Sequence, residues 1–169
     1  MKFQFSILRH KNHMELEDVE TYTSEEIQGI YSLLDMEKVH VHAELTLEGE
    51  IAHIEFHIQT KLYLECAYTL EKVDYPLDFI EELDFSSSDL YENDENIVFV
   101  KGDVIDLHPY ILGLIITEIP MKVVKKGAKL PKGGKGYEVI TEEEYYKKKE
   151  ESVDPRFSAL DNWDDDDDE

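Results

Sequence analysis

The chain has 169 residues, of which 41% are hydrophobic and 34% are charged, and its formal net charge is −23. The length fits one domain with a tail, and ten tyrosines and seven phenylalanines argue against a wholly disordered acidic chain. The composition excludes a membrane-spanning helix, a disulfide framework, a cysteine-rich zinc site and a nucleic-acid binder that is basic overall, so we expect a cytoplasmic protein.

The first part of the chain predicts a strand, a loop and a weak helix. Apolar and polar residues alternate over 3–7, which favours a strand. Residues 15–23 are acidic and predict a loop, and residues 24–34 predict a weak helix that begins at a serine.

The clearest pattern lies on the two sides of Gly49. Apolar and polar residues alternate over 39–47 and again over 54–58, which is typical of an antiparallel hairpin with one solvent-exposed face. Gly49 and Glu50 suit a two-residue type II′ turn, which favours glycine first. The alternation continues to Cys66, and further strands are predicted over residues 73–79 and 97–100.

The residues that follow predict an apolar helix over 107–119. Asp106 can cap this helix, Pro109 fits its first turn, and Pro120 ends it. We therefore predict an α+β fold, an antiparallel sheet covered by one main apolar helix, with a flexible C-terminal extension. The predicted hydrophobic centre consists of helix residues that share a face: Leu107, Ile111, Leu112, Ile115, Ile116 and Ile119.

Charge divides the chain into three parts. Residues 1–118 hold 26 acidic and 7 basic residues, 119–137 hold six lysines and no acid, and 138–169 hold 14 acidic and 4 basic residues. We place an α+β domain at 1–118 and an extension at 119–169. The extension is predicted to contain a lysine- and glycine-rich arm at 122–136, a short helix at 141–150 and an acidic tail at 161–169.

The lysine arm is the most informative functional feature. Cations that neutralise phosphates release counterions, and glycines let a backbone approach a phosphate chain closely. The arm has no aromatic residue, which favours contact with an RNA backbone over stacking on bases. The alternative is a mobile surface loop that lysines keep soluble. The predicted RNA-binding residues are Lys122, Lys125, Lys126, Lys129, Lys132 and Lys135.

Catalytic patterns are absent from the sequence, so we expect neither an enzyme nor a cofactor. Four histidines lie on the polar face of the predicted hairpin. If Glu48 pairs with Ile51, His42 faces His57, and the two imidazoles could hold a metal; the alternative is a polar face that happens to use histidine. Cys66 is expected to be a buried structural thiol and not a reactive one. The other two histidines of this face are His40 and His53.

Three segments in this order resemble the YceD family of bacteria and plastids, the large ribosomal RNA subunit accumulation proteins. The segments are LYLECAYTLEKVDYPLDF, GDVIDLHPYILGLIITEIPMK and, at 154–160, DPRFSAL. Thr69 stands where the family has a second cysteine, and the lysine arm stands where many relatives have further cysteines, so we expect no structural metal. The residues that match family motifs are Cys66, Asp106, Pro120, Asp154, Pro155 and Arg156.

The resemblance implies a non-enzymatic factor for synthesis, processing or stability of the large-subunit (23S) ribosomal RNA. Two hypotheses follow from the charge pattern. In the first, the lysine arm binds rRNA in a pre-ribosomal particle. In the second, the acidic domain and tail act as a chaperone that holds a basic ribosomal protein.

Overall fold

The computed structural model describes residues 1–151, with the side chains of residues 1–149. Residues 1–125 form one compact unit, and a second unit begins at Lys126. A short 3-10 helix lies at Asp89–Tyr91. In chain order the strands and α-helices are β1 (Lys2–Gln4), α1 (Phe5–Lys11), β2 (His13–Glu20), α2 (Ser24–Ile27), β3 (Leu33–Met36), β4 (Val39–Glu48), β5 (Ile51–Glu65), β6 (Lys72–Ser86), β7 (Ile97–Phe99), β8 (Val104–Asp106), α3 (His108–Thr117) and α4 (Glu142–Glu151).

Six strands form the main sheet, in the order β2-β4-β5-β6-β7, and β3 pairs with β5 outside this row. Neighbouring strands are antiparallel except β6 and β7. The 15-residue β5 changes partner along its length, since residues 51–59 pair with β4 and the segment 62–64 pairs with β3. The sheet is curled. β1 and β8 form a separate two-stranded sheet.

The predicted hairpin is confirmed as β4 and β5. Glu48 lies opposite Ile51, and Gly49 has a φ of +63°, the positive value that the first position of a type II′ turn requires. Alternate residues of both strands are buried, as the period-two pattern predicts. The strand predicted over 97–100 is confirmed as β7, and the one predicted over 73–79 lies within the longer β6.

The prediction of an α+β fold with a sheet covered by one main helix is wrong, because the structure is mostly β and its strands supply most of the core. α3 contributes only Ile111 and Ile115 as buried residues, while α1 contributes Phe5 and Leu8 and α2 contributes Ile27. A curled sheet encloses much of its own apolar face, so short helices complete the core. The buried hydrophobic side chains of the strands are Phe3, Leu33, Met36, Val39, Val41, Ala43, Leu45, Ala52, Ile54, Phe56, Ile58, Leu62, Leu64, Leu77, Phe85 and Ile105.

The helix predicted over 107–119 forms over His108–Thr117. Pro109 occupies its first turn, where proline has no backbone N–H to satisfy. The Asp106 carboxylate accepts a hydrogen bond from the His108 N–H at 3.1 Å, although the N-cap position itself belongs to Leu107. Asp106 therefore stabilises the start of α3, but it lies one residue before the N-cap position that was predicted for it.

The buried stripe of α3 is narrower than predicted. Leu107, Ile111 and Ile115 are fully buried at four-residue spacing, whereas Ile116 is 39% exposed and Leu112 is only partly buried. The other apolar side chains of this ten-residue helix that contact the core, among them Tyr110, Leu112 and Leu114, are only partly buried. The predicted core positions Leu107, Ile111 and Ile115 are confirmed, and Leu112 and Ile119 pack against the core, but the placement of Ile116 in the hydrophobic centre is wrong.

The predictions for residues 3–34 also need correction. The predicted first strand is only β1, and its second half forms α1 instead. The acidic stretch predicted as a loop is β2, an edge strand on which Glu15, Glu17 and Asp18 face solvent while Glu20 is buried. The predicted helix stops after the four residues of α2, which a capping box between Thr23 and Glu26 begins.

The second unit contains an isolated bridge between Gly134 and Tyr137, followed by α4. Thr141 and Glu144 form reciprocal capping hydrogen bonds at the start of α4, with the Thr141 N–H 2.9 Å from the Glu144 carboxylate. The Asp-Pro-Arg segment predicted at 154–160 and the acidic tail at 161–169 lie outside the described residues. The division of the chain into a domain and an extension at residue 118 stays a prediction.

Candidate functional site

The turn between β5 and β6, residues 66–71, contacts the chain just after α3. The turn closes on itself through the Cys66 N–H, which donates to the Glu71 carbonyl at 2.8 Å. The Ala67 N–H then donates to the Val123 carbonyl at 2.8 Å. Residues 67 and 123 are far apart in sequence, so this second hydrogen bond holds the start of the lysine arm against the turn.

Cys66 lies at the centre of this contact and is fully buried, as its strand pattern predicts. Its sulfur accepts a hydrogen bond from the Lys125 N–H at 3.3 Å. That N–H, followed by the Thr69 hydroxyl, lowers the pKa of the Cys66 thiol to about 7. The thiol therefore acts here as an acceptor that fixes the backbone at Lys125.

Two of the six arm lysines also use their side chains in this contact. The Lys125 ammonium donates to the Glu71 carboxylate at 2.9 Å, and this hydrogen bond lowers the pKa of Glu71. The Lys122 ammonium lies 4.9 Å from the centroid of the Tyr68 ring, within the range of a cation–π interaction. Both lysines are exposed, yet each has a partner on the turn.

The other four predicted RNA-binding residues belong to the second unit and are exposed. Within residues 1–151, none of the four forms an ion pair. The α4 residue Lys148, by contrast, lies 2.6 Å from the Glu138 carboxylate. The four lysines without such a pair are Lys126, Lys129, Lys132 and Lys135.

A row of four glutamates crosses the exposed face of the main sheet. Glu15 of β2 lies opposite Glu44 of β4, Glu44 lies opposite Glu55 of β5, and Glu55 lies opposite Glu82 of β6. All four side chains are half-exposed or exposed. Like charges placed directly opposite one another destabilise a sheet, so this row is an energetic cost to the fold.

The histidines flank this glutamate row. His42 lies opposite His57, as the predicted register requires. The His57 ring nitrogen is 2.7 Å from the Asp78 carboxylate, and the His42 ring is 3.5 Å from the carboxylates of Glu17 and Glu44. A shallow pocket of about 450 Å³ lies over these histidines. Among residues 1–151, no group of three or more potential ligands has the geometry of a metal site.

The remaining family positions lie at the two ends of α3. Asp106 ends β8, where its carboxylate pairs with the Lys2 ammonium at 3.1 Å in addition to the His108 N–H. Pro120 follows the last turn of α3, so it ends the helix as predicted. Asp154, Pro155 and Arg156 lie outside the described residues.

Two side chains that contact the lysine arm, Tyr68 and Glu71, were missed in the sequence analysis. Both lie in the segment that carries the family cysteine, but no local pattern distinguishes them from other polar residues of a turn. They acquire a role only because the fold brings residues 122–125 against them. The register of the hairpin predicts that Glu44 lies opposite Glu55. That Glu15 of β2 and Glu82 of β6 continue the row could not be predicted, because it depends on the order of strands in the sheet.

Comparison with known proteins identifies the family of this chain. The family model described as "Large ribosomal RNA subunit accumulation protein YceD" matches residues 54–162. The protein "Uncharacterized protein YlbN" of Bacillus subtilis (strain 168) is 33% identical over 129 residues, which cover 72% of this chain and 72% of that protein. No solved structure matches the chain significantly.

The matched region begins in β5, and it includes the turn at Cys66, the helix α3 and all six arm lysines. Within residues 1–151, no helix is both long enough and apolar enough to cross a membrane. The resemblance predicted from the three sequence segments is confirmed: the chain belongs to the YceD family of large ribosomal RNA subunit accumulation proteins.

Proposed function

We propose that this chain supports accumulation of the 23S rRNA by binding a pre-ribosomal particle through its lysine arm. The observation that supports this most is the separation of charge. Four exposed lysines without an ion pair among the described residues lie in a chain whose net charge is −23. A cation without a local counter-ion is available to replace the counterions of an RNA phosphate, whereas a paired one must first lose its partner.

The negative charge of the rest of the chain gives this binding its selectivity. Residues 1–118 hold 26 acidic and 7 basic residues, so they repel free RNA. A folded particle can admit the arm to a groove while the acidic surface faces solvent or a basic protein. Free rRNA is therefore expected to bind weakly, and the particle more tightly.

The test is binding of purified pre-ribosomal particles across a salt series. In the test variant, Lys126, Lys129 and Lys132 become glutamine. In the matched control, three lysines outside the arm are changed to glutamine, which gives the same change in net charge. If the arm lysines neutralise phosphates, the slope of log affinity against log salt falls by roughly 0.7–0.9 for each lysine removed. Equal slopes for the test and control variants would contradict the proposal. The control residues are Lys38, Lys61 and Lys101.

A second candidate function is favoured by the glutamate row. In this alternative, the acidic face holds a basic ribosomal protein, and the lysine arm is incidental. The opposed glutamates repel one another in the free protein, and a cationic ligand would neutralise that repulsion when it binds. Changing Glu15, Glu44, Glu55 and Glu82 to glutamine, or deleting residues 161–169, should then abolish association with the particle while the lysine variant retains it.

A further inference from the structure

The six arm lysines have two different environments. Lys122 and Lys125 each contact a side chain of the 66–71 turn, at 4.9 Å from the Tyr68 ring centroid and 2.9 Å from the Glu71 carboxylate. The other four have no ion pair within the described residues. Lysines that already have a partner in the free protein gain less from a phosphate, because they exchange one contact for another.

The contact at Lys125 combines several interactions. Its ammonium pairs with Glu71, its N–H donates to the buried Cys66 sulfur, and the preceding Val123 carbonyl accepts from the Ala67 N–H at 2.8 Å. Backbone contacts at residues 123 and 125, together with the Lys125 side chain, hold the chain against the turn up to the last residue of the first unit. Glu71 is itself held by the closed turn, since its carbonyl accepts from the Cys66 N–H.

We propose that Tyr68 and Glu71 are positioning residues that hold the first residues of the lysine arm, 122–125, against the turn. In this proposal Lys122 and Lys125 are anchors and do not contact phosphates. This inference rests on the proposed function of the arm. Because residues 122–125 are fixed, the other four lysines of the arm explore a smaller volume in the free protein. They therefore lose less conformational entropy when they bind a phosphate chain. The RNA-contacting set is thus Lys126, Lys129, Lys132 and Lys135.

The anchor can be tested without RNA, by hydrogen exchange of the Ala67 and Lys125 amides. In the wild type both amides are hydrogen-bonded across the contact, so both exchange slowly. Glu71→Gln and Tyr68→Ala should speed their exchange. The matched control is Glu65→Gln on the same hairpin, since Glu65 lies opposite Lys72 and forms no ion pair with residues 122–125. Exchange that Glu71→Gln leaves unchanged would overturn the anchor.

Binding of the particle by the Glu71→Gln variant also distinguishes two roles of Lys125, because the affinity should rise if Lys125 contacts a phosphate and fall if it is an anchor. Removing an acidic residue near a phosphate-binding lysine should tighten binding of the particle, because it frees a cation and lowers repulsion. If Glu71 is an anchor, the same change should weaken binding several-fold while the salt slope stays constant. Tighter binding by Glu71→Gln would overturn the inference.

A pair of double variants separates failure of the anchor from failure of the RNA-binding proposal. Lys129→Gln with Lys132→Gln should reduce the salt slope by roughly 1.4–1.8, whereas Lys122→Gln with Lys125→Gln should weaken binding at all salt concentrations without changing the slope. An unchanged slope for the first pair would contradict RNA binding by the arm itself. A reduced slope for both pairs would support RNA binding but overturn the anchoring role.

Discussion

Glu44 and Glu55 lie directly opposite each other across the central hairpin, with Glu15 and Glu82 continuing the row on either side. The hydrophobic pattern of β4 and β5 fixes their register, because a shift by one residue would move Ala43 and Phe56 from the core to solvent. The packing of the buried face therefore holds these two carboxylates opposite each other, whatever their mutual repulsion.

This relationship predicts that Glu55→Gln stabilises the protein. The change removes repulsion with both Glu44 and Glu82, and a cross-strand pair is worth about 0.2–1 kcal/mol. We expect the free energy of unfolding to rise by an amount in that range, measured by urea denaturation at low salt. The gain should shrink at high salt, because salt screens exposed charges.

The control for this prediction is Glu65→Gln in the same strand. Glu65 lies opposite Lys72, so its loss relieves no repulsion between directly opposed like charges. This variant should be neutral or slightly less stable than the wild type. A loss of stability in Glu55→Gln would show that a contact of this carboxylate outweighs the repulsion of its neighbours.

A second prediction concerns two adjacent isoleucines of α3. Ile115 is fully buried, whereas Ile116 is 39% exposed. Ile115→Ala should lower the free energy of unfolding by about 2–5 kcal/mol, because it leaves a cavity in the core. Ile116→Ala should cost less than about 1 kcal/mol, since surface changes have small effects. Chemical denaturation of both variants measures the difference, and equal losses would place both residues in the core.

The sequence predicts this fold well where one long strand face is buried. Over residues 39–65 the strict alternation fixes strands, turn and register together, because a period of two fits no helix. It predicts the fold poorly over residues 3–36, where elements are three to eight residues long. In segments this short, pairing with distant strands decides the structure, as β1 with β8 illustrates.

The candidate site shows the same limit. Composition alone identifies the six lysines, since charge needs no tertiary structure to be recognised. Their division into anchored and free sets depends on contacts between residues 66–71 and 122–125, which the fold creates. In α3, helical spacing correctly indicated a helix but not which of Ile115 and Ile116 faces the core, because that depends on how the helix docks.

A third prediction compares two glycines. Gly113 lies inside α3, and a Cβ added there would meet no atom within 4 Å. Gly113→Ala should therefore raise the free energy of unfolding by about 0.4–1 kcal/mol, because alanine loses less backbone entropy in a helix. Gly49→Ala should lower it by about 1–2 kcal/mol, since Gly49 has a φ of +63°. Thermal or urea denaturation of the two variants checks both signs, and a stabilised Gly49→Ala would contradict the turn assignment.

The fourth prediction arises from a charged cluster that joins α3 to β2 and α2. The His108 ring nitrogens lie 2.5 Å from the Glu20 carboxylate and 3.0 Å from the Glu26 carboxylate. Tyr22 stacks on the ring at 4.3 Å and donates its hydroxyl to the His108 carbonyl. The Met1 ammonium contacts the other Glu20 oxygen. Burial lowers the pKa of His108, but the hydrogen bonds to both carboxylates outweigh it, so the pKa is raised.

A raised pKa means that the protonated His108 stabilises the folded state. This stabilisation is fully present below the unfolded pKa of about 6.5 and is lost as the pH rises through the folded value. His108→Asn should therefore cost more stability near about pH 6 than near about pH 9. Urea denaturation of the wild type and the variant at the two pH values measures this cost. The exposed His10→Asn serves as the control for loss of a histidine outside the cluster. A cost for His108→Asn that stays the same, or grows, with rising pH would contradict stabilisation by the protonated ring.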